Sequence, residues 1–177
     1  MIIADIRFGI FVILPIVTFI YTDNYHECGK FCKCLLKTRG TRIAICNGSY
    51  IPKLPVSVEE IELRNSSMKN IGRFAFINLT LHRLHVLVLS GNSIRHIHPE
   101  ALVNLTSLSV LEVKNETSLS VDDLKQVLTK VSSRSIKTLR FTNNNWEYLL
   151  NDMFASFINS KIKKVYLTGN QFSSING

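Results

Sequence analysis

One short pattern, apolar-x-x-apolar-x-apolar-x-x-Asn-x-apolar, recurs along the chain. It is present in VEEIELRNSSM, LHVLVLSGNSI, LSVLEVKNETS, IKTLRFTNNNW and IKKVYLTGNQF, which start at Val58, Leu84, Leu108, Ile136 and Ile162. The starts are 26, 24, 28 and 26 residues apart. A period of about 20 to 50 residues is typical of proteins in which each repeat forms one structural unit. The sequence therefore predicts a stack of coils, in which each coil buries its apolar side chains against its neighbours.

The second unit shows how one coil is built. Alternate side chains of a strand point to opposite faces, so Leu87 and Leu89 point to one side and Val88 to the other. Asn92 follows this strand, and we expect its amide to satisfy backbone groups in a buried turn, because an unpaired buried amide costs about 1–3 kcal/mol. Other units have the same asparagine or replace it: Asn144 and Asn170 repeat it, whereas Ser66 and Glu116 depart from it.

The return legs of the coils also repeat. Apolar residues occupy matching positions in three units, namely Phe76, Leu102 and Phe154, followed by Leu79, Leu105 and Phe157. The third unit differs, because SVDDLKQVLTKV begins with Ser120, has Asp123 three residues later, and is apolar at 121, 124, 127, 128 and 131. This arrangement resembles a capping box with Asp in place of Glu, and it predicts a helix on the convex side.

The N-terminus predicts export. MIIADIRFGIFVILPIVTFIYT contains an apolar run from Phe8 to Tyr21, which suits a signal peptide over residues 1–22 and is shorter than the roughly 18 or more apolar residues of a membrane span. An uncleaved anchor is the alternative, because Asp5 lies before the run and no small-x-small cleavage site follows it. The predicted location is extracellular or at the cell surface, reached through the secretory pathway.

The cysteines agree with export. They lie in one stretch, at Cys28, Cys32, Cys34 and Cys46, which in an exported chain indicates two disulfides with three alternative pairings. A zinc site that includes His26 is the competing interpretation, but the C-x-C spacing and the exported context disfavour it. We therefore expect these residues to stabilise the fold and to perform no chemistry.

Two sequence features carry a family resemblance. The cysteine cluster followed by YIPKLPVSVEEIEL resembles the N-terminal cap of extracellular leucine-rich-repeat proteins, and the long units, especially FASFINSKIKKVYLTGNQF, are most similar to Toll-like receptor ectodomains. The resemblance implies an α/β solenoid with a parallel concave sheet and a disulfide-linked N-terminal cap. It also implies the pairs Cys28 with Cys34 and Cys32 with Cys46. The expected domains are a signal peptide at 1–22, a cysteine-rich cap at 23–57, and about five leucine-rich repeats at 58–177, the last incomplete.

The function that this resemblance implies is binding. We expect an extracellular module that binds a ligand or a protein, as part of the ectodomain of a pattern-recognition receptor of innate immunity. A secreted leucine-rich-repeat protein of the matrix or of cell adhesion is the alternative. Because the chain stops two residues after Ile175, inside the fifth unit, we also expect it to be a fragment of a longer receptor or a truncated gene product. Whether two copies pair, or a second receptor joins, stays open.

The charge pattern indicates where a ligand would bind. The chain has 21 Lys and Arg against 13 Asp and Glu, a net charge of +8, and the residues on the concave side of the strands change from acidic in the first unit to basic in the last two. The expected ligand face therefore consists of Lys137, Arg140, Lys163, Lys164 and Tyr166. Such a surface suits a protein or an anionic ligand. The alternative is a solvated surface, with the binding residues elsewhere in a longer protein.

Glycosylation sequons support secretion. They occur at Asn47, Asn65, Asn78, Asn104 and Asn115. Counted from the first apolar residue of each unit, Asn65 and Asn115 occupy position eight, beside the inner sheet, whereas Asn78 and Asn104 occupy position twenty-one, on the return leg. We therefore expect a glycoprotein whose sugars restrict partners at one side of the sheet.

Catalytic patterns are absent from the sequence. It has no G-x-S-x-G, no phosphate-binding glycine loop and no H-E-x-x-H, so we predict no enzyme and no cofactor. His96 and His98 are a candidate metal pair, but no carboxylate cluster accompanies them and surface histidines are favoured, so we expect no metal site. Trp146 follows Asn144 at an apolar position of the repeat, which favours a place in the core.

Overall fold

The computed structural model describes residues 26–79 and 83–176. The signal peptide expected at 1–22 lies outside these residues. Within them, eight strands form one sheet, in which the first three strands are antiparallel and every later pair is parallel. In spatial order the strands are β1 (His26–Glu27), β2 (Cys32–Leu36), β3 (Arg42–Cys46), β4 (Val58–Arg64), β6 (Val86–Ser90), β8 (Val110–Lys114), β9 (Thr138–Thr142) and β11 (Lys164–Tyr166).

The return legs hold shorter elements. Strand β5 (Asn70–Ile71) pairs in parallel with β7 (His96–Ile97), and β10 (Tyr148–Leu150) with β12 (Ser174–Asn176). Helix α1 (Val121–Lys130) lies in the third unit, between these two pairs in chain order. Short 3-10 turns occupy Ile77–Leu79 and Ala155–Phe157.

The apolar repeat positions form the core of the sheet. Leu87 of β6 is aligned with Ile61 on one side and with Leu111 on the other, and Leu139 of β9 continues the row. All four side chains are at most 1% exposed. Equal positions of successive coils therefore stack directly on one another, which confirms the parallel sheet with one strand per unit that the repeat predicts.

A polar ladder, buried in its first four members, runs beside this core. We use this name for position nine of the five units, occupied by Ser66, Asn92, Glu116, Asn144 and Asn170. Each asparagine bonds to the preceding coil in the same way. The Asn92 side chain accepts a hydrogen bond from Ser66 N (3.0 Å) and donates one to Leu63 O (2.9 Å), and Asn144 does the same with Glu116 N and Val113 O. The expectation that these amides satisfy buried backbone groups is confirmed.

Glu116 takes part in the same ladder although it is not an amide. Its side chain is 0% exposed, and its carboxylate accepts hydrogen bonds from Asn92 N (2.8 Å), Asn92 Nδ2 (2.8 Å) and Ile94 N (2.9 Å). A buried carboxylate is costly unless hydrogen bonds satisfy it. These three donors compensate the burial of Glu116 and connect the third coil to the second.

Helix α1 begins where the sequence predicts it. Ser120 is the N-cap, and its Oγ accepts a hydrogen bond from Asp123 N (3.0 Å). The Asp123 carboxylate accepts a bond from the Ser120 hydroxyl (3.1 Å) rather than from the Ser120 backbone, which fits a side chain one methylene shorter than the usual Glu. The helix ends at Lys130, and Val131 is the C-cap. Its buried face joins the core.

Disulfides join the strands of the cap. They link Cys28 to Cys34 and Cys32 to Cys46, with Cα atoms 5.5 and 4.1 Å apart. This is the pairing that the resemblance implied. Because all four sulfur atoms are in disulfides, the alternative interpretation as a zinc site is wrong. Because β3 pairs in parallel with β4, the disulfide-linked strands extend the sheet and cover the first repeat.

The last described coil is less covered than the others. Val165 is 40% exposed and Ile175 is 69% exposed, whereas the matching positions Leu87 and Ile97 of the second unit are at most 1% exposed. Within residues 26–79 and 83–176, the structure has no helix with the length and hydrophobicity that a membrane crossing requires.

Candidate functional site

One residue from each repeat forms a line across the concave face. In the strand register, Glu62 is aligned with Val88, Val88 with Glu112, Glu112 with Arg140, and Arg140 with Tyr166. We call these five residues the central concave row. In β4, β6, β8 and β9 they alternate with buried residues, so they point away from the core, and Tyr166 shares this orientation because it is aligned with Arg140. The row combines carboxylates, a valine, an arginine and a tyrosine on a rigid sheet.

The charges of this face are largely matched. Nη1 of Arg140 lies 3.8 Å from Oε2 of Glu112, and its guanidinium carbon lies 5.3 Å from the centre of the Tyr166 ring. Nζ of Lys114, at the end of β8, lies 3.7 Å from Glu112 Oε1 and 3.8 Å from Glu62 Oε1. Each of these partly exposed pairs contributes only about 0–1 kcal/mol. Together they leave the centre of the sheet with alternating signs rather than one positive field.

The sequence-predicted ligand residues fall into two groups. Arg140, Lys164 and Tyr166 lie in strands β9 and β11, on the concave side. Lys137 and Lys163 precede these strands, and the backbone N–H of Lys163 donates to Lys137 O (2.8 Å). The structure thus brings three of the five together on the sheet and places the other two at the edge where the strands begin.

That edge contains a pocket. Its volume is about 420 Å³, and we call it the strand-start pocket. Its lining combines basic side chains with serines from three coils: His85, Arg134, Lys137, Lys161, Ser107, Ser109 and Ser135. Sequence reasoning missed Arg134 and Lys161 here. The available signal was a basic residue one or two positions before the first apolar residue of the fourth and fifth units, since Arg134 precedes Ile136 by two and Lys161 precedes Ile162 by one.

The opposite edge, where the strands end, has its own repeated feature. Position eight of every unit adopts the left-handed backbone conformation, with φ between 48° and 72° at Asn65, Gly91, Asn115, Asn143 and Gly169. Only glycine, and to a lesser extent asparagine, adopts this conformation at low cost. The side chains of Asn65 and Asn115 are exposed there, as an attached glycan requires. Glycans on these asparagines would occupy the strand-end edge.

A second cleft lies in the cap. It has a volume of about 750 Å³ and includes Lys30, Lys33 and Arg64 in its lining. The ammonium of Lys30 lies 5.2 Å from the centre of the Phe31 ring. Asn47, another sequon residue, also lines this cleft, so a glycan at that position would compete with any ligand.

The two histidines of the alternative metal pair have separate partners. His96 Nδ1 lies 2.9 Å from Asp123 Oδ1, across the coil boundary. The ring of His98 accepts a hydrogen bond from Glu100 N (3.1 Å). Each ring is therefore held by its own neighbours, which agrees with the preference for surface histidines.

Groups with shifted pKa values lie on the return legs. A hydrogen bond from Lys125 Nζ (2.7 Å) lowers the pKa of Asp152, and the bond to Asp122 Oδ2 (2.7 Å) raises the pKa of Tyr148. Both shifts come from contacts between α1 and the fourth coil. They connect the convex side of the third coil to the fourth.

The comparisons with known proteins agree with this geometry. A family model described as leucine rich repeat matches residues 56–117. No curated protein matches the chain at a significant level. Among solved structures, the chain is similar to the crystal structure of human 5T4 (Wnt-activated inhibitory factor 1, trophoblast glycoprotein), with 18% identity and a TM-score of 0.57 over 79% of this chain and 53% of that one. The chain thus spans about half the length of the solved protein, and the likeness is one of fold.

Proposed function

We propose that the chain, which has the leucine-rich-repeat fold, is an extracellular protein-binding module from the ectodomain of a pattern-recognition receptor. The fold supports binding, because stacked coils provide an extended concave surface on a rigid sheet. The disulfides Cys28–Cys34 and Cys32–Cys46 favour an oxidising compartment, such as the secretory pathway that residues 1–22 suggest. The innate immune role rests on the similarity of the long repeats to Toll-like receptors.

The central concave row carries the proposal. Its Tyr166 and Arg140 are of the types that most often dominate the binding energy of protein interfaces, and they contact each other. Val88 contributes apolar surface, and Glu62 and Glu112 contribute charges of the opposite sign. A surface with aromatic, apolar and oppositely charged side chains is typical of protein interfaces. A surface that binds a polyanion would instead carry mainly positive charge.

Predicted glycosylation fits the same surface. Sugars at Asn65 and Asn115 would lie beside the ends of β4 and β8, and sugars at Asn78 and Asn104 would lie on the return legs. The central concave row contains no sequon. We therefore expect a glycosylated, secreted or cell-surface chain to leave the middle of its sheet accessible to a partner.

Binding measurements on the secreted full chain test the proposal. The chain is immobilised and exposed to purified microbial proteins and lipoproteins, and to host matrix proteins for comparison. We expect a microbial protein to bind, and the double variant Arg140→Ala/Tyr166→Ala to weaken binding by about thirtyfold, the effect of losing about 2 kcal/mol from interface anchors. The control variant Lys130→Ala changes an exposed cation at the end of α1 and should leave binding unchanged.

Two results would overturn the proposal. Binding that survives the double variant would remove the concave face from the interface. Selective binding of host matrix proteins would instead support a role in the matrix or in cell adhesion.

A further inference from the structure

Cations without a carboxylate partner gather at the edge where the strands begin. Arg134, Lys137 and Lys161 are exposed and line the strand-start pocket. Within the described residues, none of the three lies within 4.0 Å of a carboxylate oxygen, whereas Lys114 and Arg140 on the concave face do. On the sheet, acidic residues reduce the positive potential of the nearby cations. At this edge, the positive potential of the three cations is not reduced in this way.

The pocket is built on backbone that stacking holds in place. Backbone N–H groups connect its coils, from Ser109 N to His85 O (2.9 Å) and from Lys137 N to Ser109 O (2.8 Å). The His85 ring donates through Nδ1 to Ser107 O (3.1 Å), and the Ser109 hydroxyl donates to His85 O (3.1 Å). These bonds fix the wall from which the flexible cations extend.

This edge is also distant from the predicted glycans of the strand ends. Asn47, Asn65 and Asn115 each follow a strand directly, at the opposite edge of the sheet. The residues that line the strand-start pocket include no sequon asparagine. Glycans at these three asparagines would therefore leave the pocket open, whereas Asn104, the sequon residue of the second return leg, lies only three residues before the lining residue Ser107.

We propose that the strand-start pocket binds the sulfate groups of an acidic polysaccharide. Three uncompensated cations provide the charge, since Lys and Arg pair with sulfate as they do with other oxyanions. No Phe, Tyr or Trp lines the pocket, so it lacks the stacking platform on which single-stranded nucleic acid depends. An extracellular setting brings such polysaccharides within reach. This site is separate from the concave face of the proposed function.

Affinity for heparin, a sulfated polysaccharide, tests the site in the full chain. The pocket variant combines Arg134→Gln, Lys137→Gln and Lys161→Gln. We expect it to bind immobilised heparin about tenfold more weakly than the wild type, because three favourable charge interactions are lost. The wild-type chain should also bind desulfated heparin about tenfold more weakly than heparin.

The matched control removes the same amount of charge elsewhere. Lys69→Gln, Arg95→Gln and Lys130→Gln change three exposed cations of the return legs, so both variants fall from a net charge of +8 by three. We expect this control to keep its heparin affinity within about twofold, and circular dichroism should show that both variants are folded. Arg140→Ala/Tyr166→Ala should also keep heparin binding, since the two surfaces are independent.

Three outcomes would overturn the inference. Equal losses in the pocket variant and in the control would mean that only the net charge matters. Equal binding of desulfated heparin would exclude recognition of sulfate. Tighter binding of a single-stranded oligonucleotide than of heparin would assign the pocket to nucleic acid instead.

Discussion

Glu116 offers the most direct test of how neighbouring coils are held together. Its buried carboxylate accepts three hydrogen bonds from the second coil, two from Asn92 and one from Ile94. Removing an acceptor leaves each buried donor unsatisfied at a cost of about 1–3 kcal/mol. Glu116→Ala removes all three bonds, so we expect it to lower the free energy of unfolding by about 3–5 kcal/mol, the lower part of the summed range, since water entering the vacated space would satisfy some donors.

Glu116→Gln separates the shape of the side chain from its hydrogen bonds. The amide oxygen of glutamine keeps both bonds from Asn92, but its NH₂ group faces the N–H of Ile94 and cannot accept from it. We therefore expect a smaller loss of about 1–3 kcal/mol. Amide hydrogen exchange should become faster at Ile94 while Asn92 stays protected. Urea titration of the full chain gives the free energies.

Glu147 provides the matched control. It is exposed and its carboxylate takes part in no hydrogen bond within the described residues, so Glu147→Ala should change the free energy of unfolding by no more than about 0.5 kcal/mol. The reasoning is refuted if Glu116→Ala is as mild as this control, or if Glu116→Gln stabilises the chain.

Further predictions concern the helix, the cap and the convex surface. Ser120→Ala removes the N-cap of α1 and should cost about 1 kcal/mol by urea titration, with no effect if the cap bond does not form in solution. Replacing Cys32 and Cys46 by alanine opens the disulfide with a sequence separation of 14 and should cost about 3 kcal/mol; a cost under about 1 kcal/mol would contradict a stabilising role. Lys125→Met should raise the pKa of Asp152 towards its ordinary value, measured by NMR titration. Because this pKa is lowered in the folded chain, the stability that the pair adds is present above the ordinary aspartate pKa and is lost as the pH falls through the lowered one; an unchanged pKa in the variant would exclude the pair.

Features that depend on one coil and its repeat were predictable from the sequence. The inward positions of Leu87 and Leu89, the role of Asn92 and the start of α1 follow from local periodicity and capping chemistry. Trp146 was expected in the core, and its Nε1–H donates to Leu119 O (2.8 Å) while its ring is 4% exposed. Asn92 and Trp146 both donate hydrogen bonds to the preceding coil, and the constant repeat brings their acceptors to the same place in each pair of coils.

Features that depend on long side chains from different coils were not predictable. The repeat predicts that Arg140 and Glu112 are aligned in neighbouring strands. It does not predict the distance between their charged groups, because the rotamers of both long side chains decide it. Lys137 was expected on the concave face, yet it precedes β9 and lines the strand-start pocket. The protein or anionic ligand of the concave face, the glycosylation of the sequons and the signal peptide at 1–22 stay predictions.

The left-handed backbone conformation at position eight was predictable from the aligned repeats, although not from the overall composition. All five units carry Asn or Gly there, which are the residues that accept this backbone conformation. The asparagines at positions 65 and 115 can therefore be explained by the backbone conformation alone, because this conformation favours asparagine whether or not a sugar is attached. A sequon at this position is weaker support for glycosylation than one at Asn78 or Asn104, where the backbone makes no such demand.

The constant register of the sheet has a practical consequence for protein engineering. From β4 to β11 the strands pair residue for residue, although the units vary from 24 to 28 residues in length. The return legs therefore absorb every difference in length, and longer loops cost little additional closure entropy. An affinity tag inserted after Ile158, which is 80% exposed, should anchor the protein to a sensor chip by its convex side and orient every molecule with its sheet towards the analyte.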